Sequence, residues 1–98
     1  MSGLSKETLA KILASLEAMY WELNDFSHAH KGHKGNVHGG AHYALIIVSP
    51  LFRDKGRLKR HRLIYQAFAP YLRKEIHALL LCLFTPEEWQ NKIKDEQY

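Results

Sequence analysis

The residues best equipped for chemistry in this chain are its histidines, seven in 98 residues. Imidazole ligates transition metals readily and is the one unperturbed side chain that titrates near neutrality. His28, His30, His33, His38 and His42 fall within a single glycine-rich stretch. Their spacing makes no helical pair and brings no carboxylate, so the stretch alone predicts incidental divalent-metal binding and no structural zinc site. His77 stands apart at the head of an apolar run, where it is either a ligand or a ring hydrogen-bonded to a backbone carbonyl. The single cysteine, Cys82, rules out an intramolecular disulfide and any CxxC-type site, which fits a reducing compartment. Its place inside Leu79-Leu80-Leu81-Cys82-Leu83-Phe84 predicts a buried, unreactive thiol.

A second chemistry resides in charge. Between Arg53 and Arg62 stand six basic residues against one acid, Asp54, whereas the whole chain carries a formal net charge of +4. Lys55, Arg57, Lys59, Arg60 and Arg62 could neutralise nucleic-acid phosphates, the main source of non-specific affinity. The same charges could meet an acidic protein face or glutathione carboxylates, or simply be solvated. Nothing points to catalysis: the chain shows no Ser/His/Asp order, no paired carboxylates beside a pocket, no phosphate loop and no reactive cysteine. The expectation is a protein that acts by binding and is not an enzyme.

Few elements are available to hold these groups, since 98 residues make one domain over 1–98. Leu9, Ile12, Leu13 and Leu16 recur at helical spacing behind Ser5, which predicts a capped helix over 6–18. Trp21 and Leu23 alternate with polar neighbours, predicting a strand over 20–25. Residues 26–40 read as a loop, long enough to be functional or disordered. The apolar run 41–48 predicts the second strand, ended by Ser49-Pro50. A short helical turn at 50–52 precedes a helix from Arg57, with Leu58, His61, Ile64, Tyr65, Phe68 and Leu72 on one stripe and Pro70 forcing a kink or stop near Ala69. His61 on that stripe predicts a partly buried, hydrogen-bonded ring.

Residues 77–84 are apolar at nearly every position and predict a strand at the centre of the sheet, beside the second strand. Thr85-Pro86-Glu87-Glu88 starts the last helix, which turns Trp89 and Ile93 inward. The order αββααβα gives an α/β (α+β) fold with a three-stranded mixed sheet and helices largely on one face. Strands one and two run antiparallel, and two and three parallel through a right-handed crossover. The longest apolar stretch, 78–84, is far short of the roughly 20 residues of a membrane span. With no secretory or transit signature at Met1, the expectation is a cytoplasmic protein, or a mitochondrial one already trimmed, monomeric on its own.

The segment His42–Trp89 resembles the BolA family. The resemblance rests on Val48-Ser49 before Phe52, on Arg60-His61-Arg62-Leu63-Ile64-Tyr65, on His77-Ala78-Leu79 and on Thr85-Pro86-Glu87-Glu88-Trp89, in that order and spacing. Upstream, Asp25-Phe26-Ser27-His28-Ala29-His30 is similar to the family's Asp-Glu-Ser-x-x-His segment, and His30-Lys31-Gly32-His33 to the His-x-Gly-His form of some members. The resemblance implies a fold related to the second type of KH domain and a partnership with a monothiol glutaredoxin. It further implies a 2Fe-2S cluster shared with the glutaredoxin cysteine and glutathione. By position in the family, the ligands from this chain would be His77 and His30, with His33 as the alternative loop ligand. A second implied reading is a DNA- or RNA-binding regulator using the basic run. Against it, the KH Gly-x-x-Gly clamp is replaced here by Arg53-Asp54-Lys55-Gly56, which keeps only the last glycine.

Overall fold

The Ser5 hydroxyl accepts the Thr8 N–H at 3.1 Å and opens helix α1 (Lys6–Ser15). The computed structural model describes residues 4–26 and 41–96, with side chains through Lys94. Helix α1 ends before the predicted residue 18 because Glu17 takes a left-handed φ of 54°. The Glu17 and Ala18 N–H groups then turn back onto the carbonyls of Ala14 and Leu13 at 3.0 and 3.1 Å, a Schellman-type end made without glycine.

Strand β1 (Tyr20–Asp25) pairs antiparallel with β2 (Ala41–Val48), and β2 pairs parallel with β3 (Ile76–Phe84). The order β1-β2-β3 puts β2 in the centre and makes β3 an edge strand, which corrects the central place that its apolar run predicts. Apolar composition misleads there because the two faces of β3 differ: Ile76 and Leu79 are buried, whereas Leu80 is 61% exposed and Cys82 is exposed. Part of the edge is guarded by helix α2 (Arg57–Phe68), whose Arg60 Nη1 donates to the Leu83 carbonyl at 3.3 Å.

Tyr43, Leu45 and Ile47 of β2 meet Leu9, Leu13 and Leu16, Ile64 and Phe68 of α2, and Phe52 in one buried cluster. Burial of each larger aliphatic or aromatic side chain contributes about 1.5–3 kcal/mol. The stripe on α2 is narrower than its sequence predicts, because Ile64 and Phe68 are buried while Leu58 is 64% exposed and Tyr65 is exposed. Pro70 ends α2 as expected, in a one-turn 3-10 segment over Ala69–Tyr71. The other short helical element of the predicted order is the 3-10 turn Pro50–Phe52. Ahead of it, the fully buried Ser49 hydroxyl donates to the Leu16 carbonyl at 2.7 Å and accepts the Leu51 N–H at 3.1 Å.

Helix α3 (Pro86–Glu96) starts in a reciprocal capping box. The Thr85 hydroxyl accepts the Glu88 N–H at 3.1 Å, and the Glu88 carboxylate accepts the Thr85 N–H at 2.9 Å. Trp89 of α3 stacks on Tyr20 at 5.2 Å between ring centres and meets Phe84 at 5.3 Å. Tyr20 and Phe84 both pair with Val48, so strand alternation puts them on the face opposite the buried Ile47. Helices α1 and α2 therefore cover one face, and Trp89 covers one end of the other. No helix among the described residues is long and apolar enough to cross a membrane.

Candidate functional site

The ladder between β2 and β3 runs Ala41↔Ile76 and then His42↔Ala78, a register shift that leaves His77 as the extra residue on β3. Such irregularities re-aim side chains. Ala41 and Ile76 are both buried against the core. Alternation therefore turns His42 and His77 to the opposite face, where their rings stand 5.0 Å apart, tilted by 44°. His77 is exposed and His42 half-buried. The loop candidates His30 and His33 lie outside the described residues. Among the described residues, no group of three or more His, Cys, Asp or Glu side chains is placed to hold a metal ion.

Next to the histidine pair on that face come Ala44 opposite Leu80 and Ile46 opposite Cys82. Ala44 and Ile46 are half-buried, and Leu80 and Cys82 are exposed, forming a partly exposed apolar strip between the histidines and Trp89. Cys82 is thus a surface thiol and not the core residue that its neighbours predict. An apolar run does not imply burial there, because both faces of β3 are apolar while only one is packed against the core.

The basic run divides by role. The Arg60 side chain is 15% exposed: its Nε donates to the Lys55 carbonyl at 2.7 Å, its Nη1 meets the Glu88 carboxylate at 2.6 Å, and its guanidinium stands 6.0 Å from the Phe52 ring centre. Lys55 Nζ donates to the Leu51 carbonyl at 2.8 Å, and Arg53 pairs with Glu87 at 2.6 Å. These guanidinium hydrogen bonds hold the carboxyl groups of Glu87 and Glu88 below the usual carboxylate range. Arg57, Lys59 and Arg62 remain exposed on α2. Arg57 and the half-buried His61 line an open cleft of about 440 Å³ against Leu81, Cys82 and Leu83. The His61 ring also meets that of Tyr65 at 6.3 Å.

The profile of the family described as BolA-like protein matches residues 12–88. The chain belongs to the BolA family. It is 36% identical over 80 residues to the DNA-binding transcriptional regulator BolA of Haemophilus influenzae, covering 82% of this chain and 75% of that one. It is 37% identical over 83 residues to SufE-like protein 1, chloroplastic/mitochondrial, of Arabidopsis thaliana, where the match covers 80% of this chain but 22% of that much longer protein. In three dimensions it superimposes on BolA1 from Arabidopsis thaliana with a TM-score of 0.72 at 30% identity, covering 90% of this chain and 97% of the other. Several of the BolA-type motifs have structural work: Ser49 and Phe52 are buried, Arg60 joins α2 to β3 and α3, and Thr85 with Glu88 caps α3. His77 is exposed at the head of β3, beside the His42 ring.

Proposed function

We propose that the protein acts as a binding partner of a monothiol glutaredoxin, sharing with it a glutathione-ligated 2Fe-2S cluster, in cluster assembly, cluster transfer or iron homeostasis. The observation that carries this reading is the exposed His77 ring, set beside His42 at the head of the sheet next to a partly exposed apolar strip. The donor chemistry fits, since imidazole can replace thiolate on one iron of such a cluster and raises its potential by removing negative charge. His77 would be one ligand, and His30, or His33 from the same loop, the other. Ala44, Ile46 and Leu80 would supply apolar contact area to the partner. The experiment is reconstitution with a monothiol glutaredoxin, glutathione, iron and sulfide. The expected product is a one-to-one complex whose visible spectrum differs from that of the glutaredoxin homodimer. His77→Ala should abolish the difference without unfolding the chain, and His30→Ala should weaken it. An unchanged spectrum with both replaced would overturn the ligand assignment.

A second reading, nucleic-acid binding by a transcriptional regulator, is favoured by the exposed Arg57, Lys59 and Arg62 and by the name of the Haemophilus influenzae relative. It is decided by measuring affinity for DNA across salt concentrations. Tight, sequence-selective binding at physiological salt would put it first.

A further inference from the structure

We propose that the outer edge of β3 and the flanking side of α2 form a docking groove for an extended acidic peptide segment of a protein partner, which joins the sheet as a fourth strand. In the parallel ladder the Phe84 carbonyl accepts the Ser49 N–H. The even-numbered residues of β3 from Ala78 onward therefore turn their backbone groups to β2, and the odd-numbered ones turn theirs outward. Two side chains of α2 reach that outward set: Arg60 donates to the Leu83 carbonyl at 3.3 Å and the Tyr65 hydroxyl to the Leu79 carbonyl at 3.5 Å. Between them, Leu81 keeps both its N–H and its carbonyl without a partner among the described residues, and the N–H groups of Leu79 and Leu83 point the same way. The open cleft of about 440 Å³ lies against this stretch, with Lys55, Arg57 and His61 on one side and Leu81 and Leu83 on the other.

Backbone chemistry and charge select the occupant. An extended peptide offers a donor and an acceptor on each alternate residue, which is what an open strand edge lacks. Phosphate groups only accept, so a nucleic-acid backbone would leave the Leu81 carbonyl unpaired. The one acid lining the cleft, Glu88, is tied to Arg60 at 2.6 Å, and Lys55 and Arg57 leave the cleft positive. Alternation along the added strand then assigns its two faces. Acidic side chains on one face meet Arg57 on the α2 side, and apolar side chains on the other lie beside the exposed Leu80 and Cys82. The Arg60–Glu88 pair closes the edge near Leu83, so the pairing is short and centred on Leu81. This docking needs neither a glutaredoxin nor a cluster.

The test uses the full wild-type chain and two blocked seven-residue peptides, one alternating glutamate with valine and the other lysine with valine. In an NMR titration the glutamate peptide should bind, more weakly as salt is raised, and the lysine peptide should not. With the glutamate peptide at saturation, hydrogen exchange of the Leu79, Leu81 and Leu83 amides should slow about tenfold or more, because a bonded amide exchanges only when its contact opens. Arg57 is exposed, so Arg57→Gln leaves the core intact and should weaken binding about two- to fivefold, the worth of one exposed ion pair. Failure of the glutamate peptide to bind, equal binding of the lysine peptide, or unchanged exchange at Leu81 with the peptide bound would each overturn the proposal. A DNA oligonucleotide that protects these same amides in place of the peptide would overturn it too, and would assign the cleft to nucleic acid.

Discussion

At the scale of single residues, the sequence distinguishes side chains that build from side chains that act less well than contacts do. Ser49 reads as a motif residue, yet its hydroxyl bridges the Leu16 carbonyl and the Leu51 N–H in a fully buried position. Ser49→Ala should cost about 1–3 kcal/mol, because a buried carbonyl then loses its donor; urea unfolding measures it, and a change within experimental error would deny the bridge that role. The position of His77 at a strand head leaves it open between a ligand and a structural ring, and only the family resemblance favours the ligand. Its closeness to His42 is not legible at all, because a register shift between two strands has no local signature. Cys82 shows the converse failure, since burial depends on what covers a face and not on the residues beside it in sequence. Glu88 combines both kinds of contact, accepting the Thr85 N–H and pairing with Arg60. Its carboxyl is held below the ordinary range in the folded chain, so its contribution is complete above the unfolded value of about 4.3 and fades as pH falls through the lower folded value. Glu88→Gln should therefore be less stable than wild type near neutrality, with the gap closing in acid; a gap that widens in acid would contradict the pairing.

Elements were legible where their ends carry chemical signals. Ser5 and the Thr85/Glu88 box mark the starts of α1 and α3, and Pro70 marks the end of α2, each by satisfying or removing a backbone donor. The end of α1 was not legible, because Glu17 adopts a conformation usually given to glycine. That misfit makes a prediction: Glu17→Gly should relieve about 1 kcal/mol of left-handed strain and return part of it as unfolded-chain entropy, for a net gain of about 0.5 kcal/mol. A thermal shift upward checks it, and a shift downward would mean that Glu17 makes contacts outweighing its strain. The central place expected for β3 failed for a related reason: an apolar run reports that both faces avoid polar side chains, not that both are covered.

At the scale of the whole molecule, the two proposed activities use different regions, which makes them separable. The histidine pair sits at the head of β3, whereas Arg60 reaches the Leu83 carbonyl near its far end and anchors the basic helix there. Of the five cations Lys55, Arg57, Lys59, Arg60 and Arg62, Lys55 and Arg60 donate to this chain's own carbonyls, and Arg60 is further tied to Glu88. Arg57, Lys59 and Arg62 are the exposed members that remain. If these dominate contact with nucleic acid, the slope of log affinity against log salt should be about −2 to −3, given about −0.7 to −0.9 per neutralised phosphate. Replacing all three by glutamine should remove that binding and flatten the slope, and should leave unchanged the spectrum of any cluster held with a glutaredoxin, since none of the three is a candidate ligand. His77→Ala should do the reverse. A steeper slope would show that phosphate contacts extend beyond α2, and a cluster spectrum that changes when Arg57, Lys59 and Arg62 are replaced would show that the basic helix belongs to the partner interface.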